Sequence, residues 1–308
     1  MARTIGRIGP KLALFMLLMI GLSACGGSGQ PASSTTAGMN STAPGASPDT
    51  KVKVVVTLPV FTSMVQAIGG DRVTVTSIVP PGVEAHTYQP TPSNVRDVAD
   101  ARMVFVNGAG LEEWLRPLIE SAGGERVPVY ELSLGLTPVD GNPHFWLDPT
   151  HAVHYAQRIA QGLSEHDLNG ADHYRANLEK YTGEIQAFDD WAKGQIAEIP
   201  DERRKLVTFH DAYPYFASHF GLQLVGFVEK SPGREPSPQE LTSLVNQIKA
   251  QQVPAIFAEP QFNPKLAETL ASEAGIKTAT LYSDTPPEGQ GYLEMMRSNV
   301  QNVVEGLR

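Results

Sequence analysis

The sequence predicts an α/β protein of two lobes, each a parallel four-stranded sheet with surrounding helices, joined by one long rigid helix. Three observations predict it. Short β-branched runs alternate with helical patterns from residue 52 to 132, and again after Pro200. The strand candidates are close to continuously apolar, as strands covered on both faces of a parallel sheet must be. One uninterrupted amphipathic stretch, Ala171–Ile199, lies between the two series.

In the first series the pattern predicts strands over Val52–Leu58, Val73–Val79, Met103–Asn107 and Val127–Leu132. Helices fit at Val60–Ile68, Ser93–Ala101 and Leu111–Ser121, and Pro92 with Ser93 gives the second a start. Another helix follows Asp148. In the second series strands fit Lys205–Phe209, Leu222–Val228, Ala255–Ala258 and Lys277–Tyr282. The helices there fit Tyr213–Phe220, Pro238–Gln251, Pro264–Ala274 and Leu293–Leu307. The two series share a pattern but no sequence repeat.

In the stretch between them Tyr174, Leu178, Tyr181, Ile185, Phe188, Trp191, Ile196 and Ile199 recur every three to five residues, on a single face. Neither proline nor a β-branched run interrupts it, although Gly183 and Gly194 weaken it. The choice is between two helices broken at Gly183 and one strut of roughly 43 Å, and the unbroken apolar face favours the strut.

Residues 1–24 read as a leader outside the fold. Arg3, Arg7 and Lys11 precede the apolar run Leu12–Leu22, whose length of about 11 residues is too short for a ~30 Å hydrocarbon core. Leu22-Ser23-Ala24-Cys25 then fits a lipoprotein cleavage site with Cys25 as the acylated residue; an ordinary secretory signal is the alternative. Cys25 is the single cysteine of the 308 residues, so no intrachain disulfide can form. Lipid on Cys25 would hold the protein on the extracytoplasmic face of the cell membrane. Residues 25–50, rich in Gly, Ser, Thr, Ala and Pro, cannot bury enough apolar surface to offset ordering and are expected to be a tether. The remaining chain divides into an N-terminal lobe (51–168), a connecting helix (169–200) and a C-terminal lobe (201–308). Losing three basic residues with the leader takes the formal net charge from -9 to -12, which argues against a nucleic-acid partner.

In open parallel sheets ligands bind beyond the carboxyl ends of the strands. Four polar side chains stand there: His86 after the second strand, His144 after the fourth, His210 at the end of LVTFH and Asp284 at the end of ATLYSD. Each lobe supplies two. Strand ends facing one cleft would bring three imidazoles and a carboxylate together, a complete tetrahedral set for zinc. Of the eight histidines the other four lack this placement. His151 and His154, an i, i+3 pair, fit solvent-exposed or capping roles; His166 and His173 lie at the polar start of the long helix; His219 fits a packing role. Glu84, Asp211 and Glu259 are the nearest carboxylates, each a possible fourth ligand or a partner for an imidazole N–H. The Asn107–Gly110 turn lacks the third glycine of a dinucleotide fingerprint, and no P-loop, HExxH, GxSxG or CxxC pattern occurs.

The stretches GGDRVTVTSIVPPGVEAHTYQPTPSNV, FVNGAGLEEWL, PHFWLDP, KLVTFHDAYPYF, IFAEPQFNPKLAETLASEAGIK and LYSD, in this order, resemble the zinc- and manganese-binding solute receptors of ABC importers, also called metal-binding or adhesin lipoproteins. The resemblance spans nearly all of residues 52–307. It implies metal held at His86, His144, His210 and Asp284 and delivery to a membrane permease driven by a cytoplasmic ATPase; no enzymatic activity is expected, and a monomer is expected. Zinc members often carry a long histidine-rich loop before the second ligand, whereas Thr137–Pro143 is short and has none. Manganese members usually place Glu where this chain has His210. Imidazole nitrogen suits zinc and oxygen suits manganese, so Zn2+ is expected ahead of Mn2+. A manganese receptor of the same family is the alternative. A surface zinc hydrolase would follow only if Asp284 stood aside and left a three-histidine site open to water.

Overall fold

The computed structural model of the chain describes residues 51–308. The leader, Cys25 and the tether lie outside the described residues.

The first sheet is built from β1 (Val52–Val56), β2 (Val73–Ser77), β3 (Met103–Val106) and β4 (Val129–Glu131), with α1 (Pro59–Gly69), α2 (Pro92–Ala99) and α3 (Leu115–Ala122) in the crossovers. The second is built from β5 (Lys205–His210), β6 (Gln223–Glu229), β7 (Ala255–Ala258) and β8 (Lys277–Thr280), with α6 (Pro214–Phe220), α7 (Pro238–Gln251) and α8 (Pro264–Ala274). The strand orders are β2-β1-β3-β4 and β6-β5-β7-β8, and every pairing is parallel. The two sheets therefore have the same topology without a shared sequence. Between them run α4 (Pro149–His166) and α5 (Ala171–Ala197), and α9 (Tyr292–Leu307) closes the chain.

Local chemistry sets the helix starts. Thr91 accepts from Asn94 N and Asn94 returns to the Thr91 N–H, a reciprocal cap on α2; Ser237 and Glu240 do the same on α7. The Asp148 side chain caps α4, and proline occupies its first turn. Helix α5 runs 27 residues without a break. A Cβ at Gly183 or Gly194 would meet open space, so both glycines lie away from its packed face and only weaken it.

One apolar core runs through both halves. It contains Phe61 and Met64 of α1, Tyr155 and Ile159 of α4, Phe188 and Ile196 of α5, Phe216 of α6, and Met295 and Val300 of α9. Separate layers cover the outer faces of the two sheets, around Val55, Val98 and Val104 in the first and Val207, Ile248 and Ile256 in the second. Helix α5 packs on α1, α4 and α9, so the strut is embedded in that core rather than bridging two free bodies. On its more open side the Arg297 guanidinium lies 4.8 Å from the Trp191 ring centre.

Three departures from the sequence expectation are informative. All four strands of the first sheet, and β8, stop one or two residues earlier at their carboxyl ends, because Leu58, Val79, Leu132 and Leu281 are fully buried residues of the connections that follow. Apolarity alone does not separate a strand from a buried turn. Helix α3 begins at Leu115 rather than Leu111, since Gly108, Ala109 and Gly110 all adopt positive φ and turn the chain. His219 does more than pack: its Nδ1 lies 3.1 Å from Asp148 Oδ1 and its Nε2 lies 2.6 Å from Asp189 Oδ1, which ties α6 to the start of α4 and to α5.

Candidate metal centre

Each of the three histidines is fixed by its own loop. After β2, the Glu84 carboxylate accepts from the backbone N–H of His86 (2.9 Å) and of Thr87 (2.8 Å), folding the loop on itself. Trp114 Nε1 donates to the Ala85 carbonyl at 2.8 Å and fixes the loop from the other side. His144 precedes a short 3-10 turn, and the Asn142 amide oxygen accepts from both its backbone N–H (3.1 Å) and its Nδ1 (2.9 Å). An amide oxygen can only accept, so Nδ1 carries the hydrogen and Nε2 keeps its lone pair. His210 ends β5, and Glu259 Oε1 lies 2.6 Å from its Nδ1, which keeps a hydrogen on that nitrogen and leaves Nε2 to face the centre.

These three Nε2 atoms converge. His86 Nε2 lies 3.2 Å and His210 Nε2 3.3 Å from His144 Nε2. All three lie within 4.8 Å of one another. Nitrogens about 2.0–2.1 Å from a tetrahedral zinc ion stand about 3.3–3.4 Å apart, so the spacing fits such an ion. His144 and His210 are 2% and 1% exposed, and His86 is half-buried, which leaves the His86 side as the more open one.

Asp284 follows β8 and is 1% exposed. Its Oδ1 has no hydrogen-bond partner, and its backbone carbonyl accepts from Val60 N at 3.0 Å. A buried carboxylate oxygen without a partner is costly, and a neighbouring cation would satisfy it. Asp284 lies within electrostatic reach of His210 and Glu259 but outside the tight three-nitrogen group.

The electrostatics divide the site. Burial and the His210 charge pull His86 down to about 4, against Glu84 and Glu259. Burial, then His210 and His86, hold His144 well below the usual histidine range. For His210 burial acts downward but is outweighed by the charge and hydrogen bond of Glu259, then by Asp284 and Glu84, so it is pushed up to about 9. Burial raises Asp284 to about 7, with Glu259 and Glu84 adding to the rise and His210 opposing it.

The structure thus brings His86, His144 and His210 together, with Asp284 within electrostatic reach of His210. Of the three reserve carboxylates, Glu84 closes its own loop, Asp211 offers its backbone carbonyl to Asn142 Nδ2 (2.6 Å), and Glu259 backs His210. The remaining histidines lie elsewhere. His151 packs edge-on to Phe145, His154 Nε2 meets the Leu134 carbonyl, His166 meets the Tyr130 hydroxyl, and His173 meets Asn177. Sequence reasoning missed Asn142. Its only signal is an amide two residues before a candidate ligand.

Residues 54–306 match the family described as zinc-uptake complex component A, periplasmic. The manganese-binding lipoprotein MntA of Halalkalibacterium halodurans is 36% identical over 267 residues, covering 83% of this chain and 88% of that one. The iron-binding protein YfeA of Yersinia pestis is 30% identical over 270 residues, covering 83% and 86%. Among solved structures, the manganese-bound periplasmic metal-binding protein of Candidatus Liberibacter asiaticus superposes with a TM-score of 0.75 at 25% identity, covering 84% of this chain and all of that one. The crystal structure of ZnuA gives a TM-score of 0.75 at 27% identity, covering 83% and 99%. With its two matching sheets, its long central helix and this coverage, the chain belongs to the zinc-uptake complex component A family.

Proposed function

We propose that this chain is an extracytoplasmic receptor that captures a divalent metal ion, zinc in preference to manganese, and hands it to an ABC-type importer in the membrane. The observation that carries the reading is the convergence of three Nε2 atoms, two of them on buried rings whose opposite nitrogens are held by Asn142 (His144) and Glu259 (His210). His86, His144 and His210 would bind the ion as cargo, and the orphaned Asp284 oxygen would complete a closed shell of four. A closed shell leaves no place for an activated water, so the site binds and releases without chemistry.

Kinship alone does not choose the metal, because relatives are named for manganese, iron and zinc. Donor chemistry supports the choice: three nitrogens and one oxygen widen the general preference for zinc over manganese. On this reading residues 51–168 and 201–308 each contribute two donors, residues 169–200 connect them, and the receptor works as a monomer. Lipid on Cys25 would keep it near its permease. Among the described residues no helix is long and apolar enough to cross a membrane. Replacing Cys25 by Ala should abolish metabolic labelling with a fatty acid and release the protein from membranes; unchanged labelling would remove the anchor from the proposal.

The metal assignment is tested by competition. Metal-free protein is equilibrated with equimolar zinc and manganese near neutral pH, and the bound metal is measured by elemental analysis. Zinc should occupy the site, and His210→Glu should narrow its lead. Manganese retained against equimolar zinc would overturn the zinc assignment and leave the receptor reading standing.

A further inference from the structure

The three rings are not backed alike. His144 leans on a neutral amide, whereas His210 leans on the carboxylate of Glu259, 2.6 Å from its Nδ1 in a pair whose side chains are 2% and 0% exposed. A short, fully buried contact between an imidazole N–H and a carboxylate is among the stronger hydrogen bonds a protein makes. The other carboxylate oxygen is held as well: Glu259 Oε2 accepts from Ser283 Oγ at 2.5 Å and from Gln261 Nε2 at 3.1 Å. Glu259 could turn toward the three-nitrogen group only by giving up all three contacts, so it is placed to hold a ligand rather than to be one.

Its fixings extend further. Ser283 directly precedes Asp284, and the Ser283 carbonyl accepts from Trp146 Nε1 at 2.9 Å, two residues beyond His144. Glu259 therefore joins His210 to the segment that carries Asp284, and through Trp146 to the loop of His144. An imidazole whose N–H is drawn toward a carboxylate is a stronger donor at its opposite nitrogen. The gain is greatest for the ion that bonds nitrogen most strongly, which is zinc rather than manganese.

We infer that Glu259 is the positioning residue that sets the metal preference of this site, by holding His210 as the Nδ1–H tautomer and strengthening its Nε2 as a donor. The inference rests on the metal-receptor reading and adds a specificity element that lies outside the proposed ligand set.

The test uses the full chain as wild type, Glu259→Gln, Ser283→Ala and His210→Ala, each titrated with zinc and with manganese against a chromophoric chelator. Glu259→Gln keeps the shape and removes the charge. It should weaken zinc by ~10–100-fold, the scale seen when the partner of a ligating histidine is lost, and weaken manganese distinctly less. Ser283→Ala leaves the carboxylate on His210 and should weaken zinc only a few-fold. A purely structural role would lower both metals alike, so equal losses, or none, in Glu259→Gln overturn the inference. Full zinc binding by His210→Ala would instead overturn the receptor site itself. A second measurement needs no variant: nitrogen-15 NMR of the zinc-loaded wild type should show His210 metallated at Nε2 with a protonated Nδ1. Metallation at Nδ1, or an Nδ1 without its proton, contradicts the inference even if Glu259→Gln does not fold.

Discussion

The two halves of the centre are built on opposite electrostatic terms. His86 and His144, from the first half, sit in loops held by hydrogen bonds and are kept neutral by burial. From the second half, His210 through Glu259 and Asp284 chiefly through burial both hold protons more tightly than usual. The first half offers lone pairs that are already free at neutral pH. The second offers donors from which an incoming cation must displace protons. The contrast teaches that both halves set the geometry while the second half sets the proton competition, so the second half should govern the pH dependence.

The largest effects should come from deleting a donor. A ligand that binds only the native state stabilises it by about 4 kcal/mol at a thousandfold excess over Kd. Zinc should therefore raise the melting temperature strongly, and His86→Ala, His144→Ala or His210→Ala should each remove most of that rise in a thermal-shift assay. If one half alone sufficed, a single histidine variant in the other would keep it, and the comparison would fail.

Next in size is the support of the first half. Asn142 fixes the His144 tautomer and reaches across to the Asp211 carbonyl. Asn142→Ala should weaken zinc by ~10–100-fold while leaving most of the metal-free stability intact. Titration calorimetry of the variant reads the first quantity and a metal-free melt the second.

The pH dependence sharpens the contrast. The folded value of His210 is raised to about 9, so its contribution to metal-free stability is full below about 6.5, the ordinary histidine value, and lost as pH rises through about 9. Asp284 is raised to about 7, so its contribution is full below about 3.8 and lost as pH rises through about 7. His86, depressed to about 4, contributes in the opposite sense: its term is full above about 6.5 and lost as pH falls through about 4. On the proposed ligand set, zinc would have to displace the protons of His210 and Asp284. Its apparent affinity should therefore rise from pH 6 to 9, by up to ~10-fold per unit for each proton displaced. Calorimetry in buffers of different ionisation heat counts the protons released; a flat affinity over this range would remove the division between the halves.

The smallest effect should be at His154, which lies away from the centre on α4. His154→Ala should change stability by no more than about 0.5 kcal/mol and keep the full zinc response.

Much of this was legible in the sequence because the signals were local. Near-continuous apolar runs alternating with helical patterns marked both sheets, and the helical patterns over Pro238–Gln251 and Pro264–Ala274 matched α7 and α8 to the residue. The strand-end rule brought out the three histidines that the fold gathers. What was not legible depends on contacts across long sequence separations. Nothing near Glu259 says that it will back His210, 49 residues away, or that Ser283 will hold its other oxygen. Likewise His219 reads as an ordinary helical residue until Asp148 and Asp189 close on it from two other helices. Nor does the pattern of two series show that one buried cluster joins residues of both halves.

The most direct test of the centre is a crystal of the protein loaded with zinc, measured on both sides of the zinc absorption edge. The account predicts one strong anomalous peak about 2.0–2.2 Å from the Nε2 atoms of His86, His144 and His210 and from a carboxylate oxygen of Asp284. A peak at other residues, or one bound through Nδ1 of these histidines, would contradict it.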